Sequence, residues 1–298
     1  MTTMASNPNT QELDITAAPP LPVHRLRPRP GWVPVNFSEL WYYRELLTFF
    51  VKRDLMVRYK QTALGVTWAL IQPVMTMCVF TLLFHYILGV SGDKTASQYA
   101  IATFAALLPW QLFEYALTQS GNSLVASERL ITKIYFPRLI LPLSSVLSGM
   151  VDFVIGLGLL GLMMLWFGYT PGIGILLLPV FALLALTTAL SIGLWLSALN
   201  VEYRDVKHTI PFITKFMFFI TPVTYSMNQV MDKLPETWQT IYALNPMCAV
   251  VEGFRWALLG QGTIHGQSMI ISLTATLVLL VGGLFYFRRL EKSFADII

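Results

Sequence analysis

The chain has 298 residues, of which 55% are hydrophobic and only 12% charged. Soluble domains carry about 25% charged residues, so the composition excludes an ordinary water-soluble protein and points to lipid as the solvent. The net charge of +4 does not signal a nucleic-acid surface, because no basic cluster interleaved with aromatics stands on a soluble domain.

The first 37 residues are polar and proline-rich, with Arg25, Arg27 and Arg29 among the prolines. They lack a short apolar segment near the start, so no signal peptide is read here. A flexible or polyproline-like cytoplasmic tail is the expectation. Residues 38–62 read as a helix lying in the membrane interface. Ser38 is its expected N-cap, Tyr43, Leu46, Leu47 and Phe50 recur at helical spacing, and Arg44 and Lys52 fall on another side. Arg53, Arg58, Tyr59 and Lys60 then stand at the approach to the first apolar run. There the basic side chains are placed at inner headgroup level, to meet anionic lipid or an anionic substrate group.

Six apolar runs follow, at 67–90, 100–125, 139–168, 173–199, 210–225 and 269–287. A helical crossing needs roughly 20 apolar residues. The runs lack the alternation of barrel strands, so the predicted fold is an all-α integral membrane protein with six transmembrane helices. The fifth run is short and carries Pro211 and Pro222, which leaves its ends open. With both termini inside, 16 of the 20 Lys and Arg lie on the cytoplasmic side; Lys94, Lys233 and Arg255 lie outside and Lys215 within a span. Cys78 and Cys248 form no disulfide framework.

The runs carry polar stripes. Gln111, Glu114, Thr118 and Asn122 share one face of the second, with Tyr115 beside them; Ser145, Ser148, Asp152 and Gly156 share one face of the third. Trp68, Gln72 and Thr76 align in the first, and Thr214, Lys215, Thr221 and Thr224 in the fifth, with Tyr225 at its end. Small and hydroxyl residues on such faces also hold helices together. Glu114, Asp152 and Lys215 demand more, because a charge in hydrocarbon costs several kcal/mol. Either they form buried pairs, with Glu114–Lys215 and Asp152–Lys215 as the two choices, or they line a hydrated route. The expectation is that at least one faces a cavity.

Two connections stand out. In the inner loop 127–137, Ser127, Glu128, Arg129 and Lys133 are set against an apolar counterface of Ile131, Ile134, Tyr135 and Phe136, which reads as a face that docks into a partner's groove. The outer loop 227–266 holds a patch of Trp238, Ile241, Tyr242 and Leu244, then Asn245 and Pro246 as cap and first helical residue, and a helix ending near Gly260. Glu252 and Arg255 are spaced to pair. Two short helices re-entering the outer leaflet are expected, as a gate or as a lid. The remaining inner connection, 200–208, reads as a solvated ion-pair turn.

No phosphate-binding loop of the form G-x-x-x-x-G-K-S/T is present, the four histidines are scattered without metal spacing, and no G-x-S-x-G elbow occurs. A non-enzymatic chain is the expectation, with no metal site. A proton-coupled secondary transporter using Glu114 and Asp152 remains the alternative from another class, although the internal repeats common to such proteins are not seen. A membrane-embedded glycosyl- or lipid-modifying enzyme is a second.

The run Arg58-Tyr59-Lys60-Gln61-Thr62-Ala63-Leu64-Gly65-Val66-Thr67-Trp68, with Pro73 after it, resembles the approach to the first span in ABC transporter type-2 permeases that export polysaccharides. Leu244-Asn245-Pro246-Met247, Val251-Glu252-Gly253-Phe254-Arg255 and Leu258-Leu259-Gly260 are similar to that family's outer loop. The likeness covers about residues 38–290 and is greatest to exporters of O-antigen; wall teichoic acid and capsule exporters are further alternatives. It implies a six-span domain at 63–290, a cytoplasmic tail at 291–298 and a homodimer in the cytoplasmic (inner) membrane. It also implies two separate ATPase subunits that bind ATP and Mg, with loop 127–137 as the coupling element. Arg53, Arg58, Tyr59 and Lys60 would then serve substrate loading. Trp68, Gln72, Gln111, Glu114, Tyr115, Thr118, Asp152, Lys215 and Tyr225 would line the channel, and Trp238, Tyr242, Asn245, Pro246, Glu252 and Arg255 would form the gate. The implied cargo is a polyprenyl-pyrophosphate-linked glycan.

Overall fold

The computed structural model describes residues 37–60, 65–89, 95–225, 227, 231, 235–260 and 266–294. The expected proline-rich tail through residue 36, the motif residues Gln61 to Leu64, the outer Lys94 and Lys233, and the last four residues lie outside that set. Among the described residues the chain is helical, without a strand. An all-α membrane protein is what the composition required.

The segment expected to lie in the membrane interface is two helices, α1 (Phe37–Tyr42) and α2 (Arg44–Tyr59), with the break at Tyr43. Helix α1 already includes Phe37, so Ser38 sits inside the first turn rather than capping it. The predicted apolar face of Tyr43, Leu46, Leu47 and Phe50 is turned onto the chain's own core, beside Leu139, Ile140 and Leu141. The side chains of this segment left exposed are instead Trp41, Phe49, Met56 and Val57 among others.

Among the described residues, five helices are long and apolar enough to cross a membrane. They are α3 (Trp68–Ile87), α4 (Ala96–Ala126), with α5 (Glu128–Ile131) after it, then α6 (Ile140–Trp166), α7 (Ile173–Glu202, opening with a 3-10 turn) and, at the end of the chain, α11 (Gly266–Leu290). The last turns of α3, from Thr81, widen to π geometry. The fifth predicted run becomes α8 (Val206–Ile220), which starts earlier and ends sooner than expected. Its 15 residues span about 22 Å, less than the roughly 30 Å of hydrocarbon, so a sixth crossing does not follow from this helix's length. Pro222 explains the early stop, because the residue before a proline is driven out of helical geometry; Thr221 is extended, at φ −85° and ψ 136°.

Helix α4 is the centre of the bundle and is buried along most of its length. A capping box starts it: the Thr95 hydroxyl accepts from the Gln98 backbone N–H, and the Gln98 side-chain Oε1 accepts from the Thr95 N–H. In lipid, helices gain little from burying apolar surface against each other, so close approach and hydrogen bonds decide the packing. Gly193 of α7 gives room for Ser120, since a Cβ there would come within 2.9 Å of the Ser120 Cβ and closer still to its hydroxyl. Asn200 donates to the Gly121 carbonyl (3.1 Å) and to the Asn122 side chain (3.2 Å). Between α7 and α11, Thr188 and Thr276 share a 3.2 Å hydrogen bond, and the Trp195 indole donates to the Leu279 carbonyl at 3.0 Å.

The predicted outer-loop helices are α9 (Glu236–Ala243) and α10 (Pro246–Leu259). The punctuation read from sequence holds: the Asn245 side chain accepts from the Met247 N–H (3.1 Å), Pro246 is the first helical residue, and Gly260 ends the helix in the left-handed conformation at φ 61°. Met247, Val250, Val251, Phe254 and Ala257 bury α10 in the main core.

A second apolar cluster occupies the end of the bundle that carries loop 127–137, and Phe294 is one of its buried members. The segment after α11 therefore does not begin as a free tail. Phe294 lies 5.3 Å from Phe287, the Arg138 N–H donates to Glu291 at 3.1 Å, and the Arg138 side chain also donates to the Glu291 carbonyl.

Candidate functional site: a polar cavity between four helices

Where α2, α3, α4 and α6 meet, they leave a cavity of about 410 Å³. Trp68 and Gln72 come from α3; Gln111, Glu114, Tyr115, Thr118 and Gln119 from α4; Gly149, Asp152 and Phe153 from α6; Arg58 and Tyr59 from the end of α2. Helical spacing is why α4 supplies so much of the wall. Residues 111, 114, 115, 118 and 119 sit three and four apart, and here an otherwise buried helix becomes half-exposed.

Glu114 stands one turn after Trp110 and lines the cavity from α4, half-buried. Tyr115 reaches across to α6, where its hydroxyl shares a 3.1 Å hydrogen bond with Ser148. Gly149 makes that approach possible, because a Cβ there would fall 2.8 Å from the tyrosine ring. The Tyr115 ring in turn supports Arg58, whose guanidinium carbon lies 4.2 Å from the ring centroid. Arg58 pairs with Asp152.

Seven of the nine residues expected to line a channel thus share one cavity: Trp68, Gln72, Gln111, Glu114, Tyr115, Thr118 and Asp152. Two do not. Lys215 is on the exposed side of α8, so Asp152 takes Arg58 as its partner in place of Lys215. Tyr225 lies at the other end of α8, where its hydroxyl donates back to the Phe219 carbonyl (3.1 Å) and shares a 3.2 Å hydrogen bond with the Tyr242 hydroxyl. The stripes also divide: Asn122 serves the Asn200 contact, and Gly156 admits Leu108.

The basic residues of the approach separate as well. Arg53 is held by its neighbour Asp54 (2.8 and 3.0 Å) over the ring of Phe50, and Lys60 is exposed. Arg58 does not stop at the start of the third span. Asp152 is twelve residues past Ile140, so the two meet about 18 Å along that helix. Sequence reasoning missed Gln119 and Gly149 as wall residues. Gln119 follows Tyr115 by one turn, and that spacing was the available signal.

In loop 127–137, Glu128, Arg129 and Lys133 are exposed, as are Ile134 (58%) and Tyr135 (69%). Ser127 is buried, and so is Phe136, which packs on Phe50. The expected docking face therefore loses Phe136 and also Ile131, which is buried in the same cluster, because an apolar side chain facing a core pocket gains more by filling it than by waiting in water. At the opposite end, Trp238 is exposed, while Glu252 and Arg255 form a buried pair at 3.3 Å. Arg255 also donates to the Tyr225 carbonyl (2.6 Å), the Ala102 carbonyl (3.4 Å) and the Val223 carbonyl. One side chain thus ties α10 and α4 to the segment after α8. Burial pulls its pKa below the ordinary value, and the Glu252 carboxylate opposes that shift.

A family model described as ABC-2 type transporter matches residues 45–259. The chain is 30% identical to the O-antigen export system permease protein RfbA of Myxococcus xanthus, over 87% of this chain and 97% of the relative. A protein of the same description from Klebsiella pneumoniae is 27% identical over the same shares. The polysialic acid transport protein KpsM of Escherichia coli is 22% identical, over 81% of this chain and 92% of the relative.

Proposed function

The chain belongs to the ABC-2 type transporter family, and on that premise we propose that it is the permease subunit of an ATP-driven exporter for a polyprenyl-pyrophosphate-linked polysaccharide of the O-antigen kind. The observation that carries the reading is the cavity. Lipid gives no reason to gather Gln111, Glu114, Thr118 and Asp152 around empty space between apolar helices, whereas a route for a polar chain does. Trp68 and Tyr115 add aromatic faces on which sugar rings stack by apolar contact, without demanding one pattern of hydroxyls.

In this reading the termini and loop 127–137 are cytoplasmic, α8 with the segment after it completes a sixth crossing, and two copies pair around the path. ATP and Mg belong to two partner subunits, which press on Ile134, Tyr135 and the charged turn before them. Arg58, Tyr59 and Lys60 receive the anionic end of the cargo. Helices α9 and α10 close the outer end, with Arg255 setting their resting position. The O-antigen export names of the relatives favour that cargo.

Gentle purification of the chain from its own membrane tests this assignment. The expected result is a complex with a separate ATPase whose hydrolysis is stimulated by lipid-linked glycan. A chain that purifies without any ATPase and is indifferent to such glycans counts against it.

A further inference from the structure

The Arg58–Asp152 pair is built asymmetrically. Arginine offers five donors in a planar fork suited to two-point recognition of an oxyanion. Asp152 engages it through one carboxylate oxygen, Oδ2, and its other oxygen, Oδ1, is buried with no hydrogen-bond partner among the described residues. Tyr115 holds the guanidinium from the face. The cavity lies beside the pair, so a ligand has access to the same cation from that side. A phosphate or diphosphate group brings more negative charge than a carboxylate and more acceptor oxygens.

We propose that Asp152 is a built-in competitor for Arg58: it holds the arginine while the cavity is empty and is displaced when a phosphate or diphosphate headgroup arrives. This inference rests on the reading of Arg58 as part of the loading end. It adds a consequence that the reading lacks. Displacing Asp152 removes the ion pair that ties the end of α2 to α6, so arrival of the anion loosens the interface helix from the third span. Binding energy of the headgroup is thereby converted into movement of the element that borders the cavity.

The test uses the full-length chain in neutral phosphatidylcholine nanodiscs, with radiolabelled inorganic pyrophosphate as probe at fixed salt. Removing a charge-assisted competitor is worth roughly tenfold, so Asp152→Asn should bind about tenfold more tightly than wild type, Asp152→Glu should stay near wild type, and Arg58→Gln should lose binding. Unchanged or weaker binding by Asp152→Asn overturns the competition, and so does absence of pyrophosphate binding in both wild type and Asp152→Asn. Replacing part of the phosphatidylcholine by phosphatidylglycerol identifies the source. Loss of pyrophosphate binding in wild type assigns the site to bilayer headgroups, and retention assigns it to a diphosphate cargo.

A second measurement does not depend on the Asn variant folding. Spin labels on the exposed Met56 and Val151, in a chain with Cys78→Ser and Cys248→Ala, report the separation of α2 from α6. Saturating pyrophosphate should lengthen or broaden that distance, and an unmoved distribution overturns the proposal. If Arg58→Gln still lowers glycan export while these readouts fail, the loading role survives and only the competition falls.

Discussion

Phe136 lies against Phe50 with ring centroids 5.8 Å apart, and this contact fastens the connector between α4 and α6 to α2. The two residues are 86 positions apart in sequence, yet each is nearly inaccessible (4% and 3%). In the proposed coupling, a push on the exposed Ile134 and Tyr135 would therefore reach α2 as well as α4.

Phe136→Asp should destabilise the protein by about 3 kcal/mol or more, because it empties an aromatic site and buries a charge. Thermal unfolding in detergent measures it. Tyr135→Asp, on the exposed side of the same loop, should leave the melting temperature nearly unchanged and lower ATP-driven export at least several-fold. Normal export by the Tyr135 variant would remove the loop from coupling.

Glu114→Ala should reduce export about tenfold or more while the protein still inserts and assembles, since the carboxylate faces the cavity and forms no ion pair within 4 Å among the described residues. Membrane level on immunoblots and cell-surface glycan together decide this. Loss of the protein from the membrane would mark Glu114 as structural. Thr118→Trp, which fills the same space with bulk, should block export to a similar degree.

Arg255→Ala should cost about 3–5 kcal/mol, the usual penalty for leaving one member of a buried pair uncompensated. It also orphans the Tyr225 and Val223 carbonyls. Limited proteolysis should show new cleavage near residues 221–225 ahead of global unfolding. An Arg255→Ala protein as stable and resistant as wild type contradicts the clamp.

Burial raises the Cys248 thiol to about 12, with the neighbouring Glu252 adding to the rise and Tyr242 opposing it. A raised pKa means the reactive thiolate is scarce at neutral pH. Cys248 should therefore resist maleimide at pH 7–8 until the protein unfolds, and labelling of the folded chain there would show that α10 leaves its pocket.

Sequence carried the local features well. Asn245, Pro246 and Gly260 act within one helix, so their chemistry shows in a short window, and the Gln111–Thr118 stripe shows by spacing alone. Partners from different elements were the difficulty. Asp152 sits near Lys215 in no sequence sense, and only the course of α2 along α6 reveals Arg58 as its mate. Phe136 and Tyr135 have the same apolar character, and the side on which each falls was decided by where the loop docks. The open ends of the fifth apolar run were set for a related reason: composition counts residues beyond Pro222, whereas the helix stops at Ile220.

The central claim is tested most directly by reconstituting the chain with a separate ATPase subunit in vesicles that carry lipid-linked O-antigen on the ATPase-facing leaflet, and measuring glycan that reaches the other side with a lectin. The expected result is transfer that requires both proteins and ATP, and that Glu114→Ala lowers at least about tenfold. Transfer by the chain alone without nucleotide, or none from the complete and hydrolysing complex, would contradict the account.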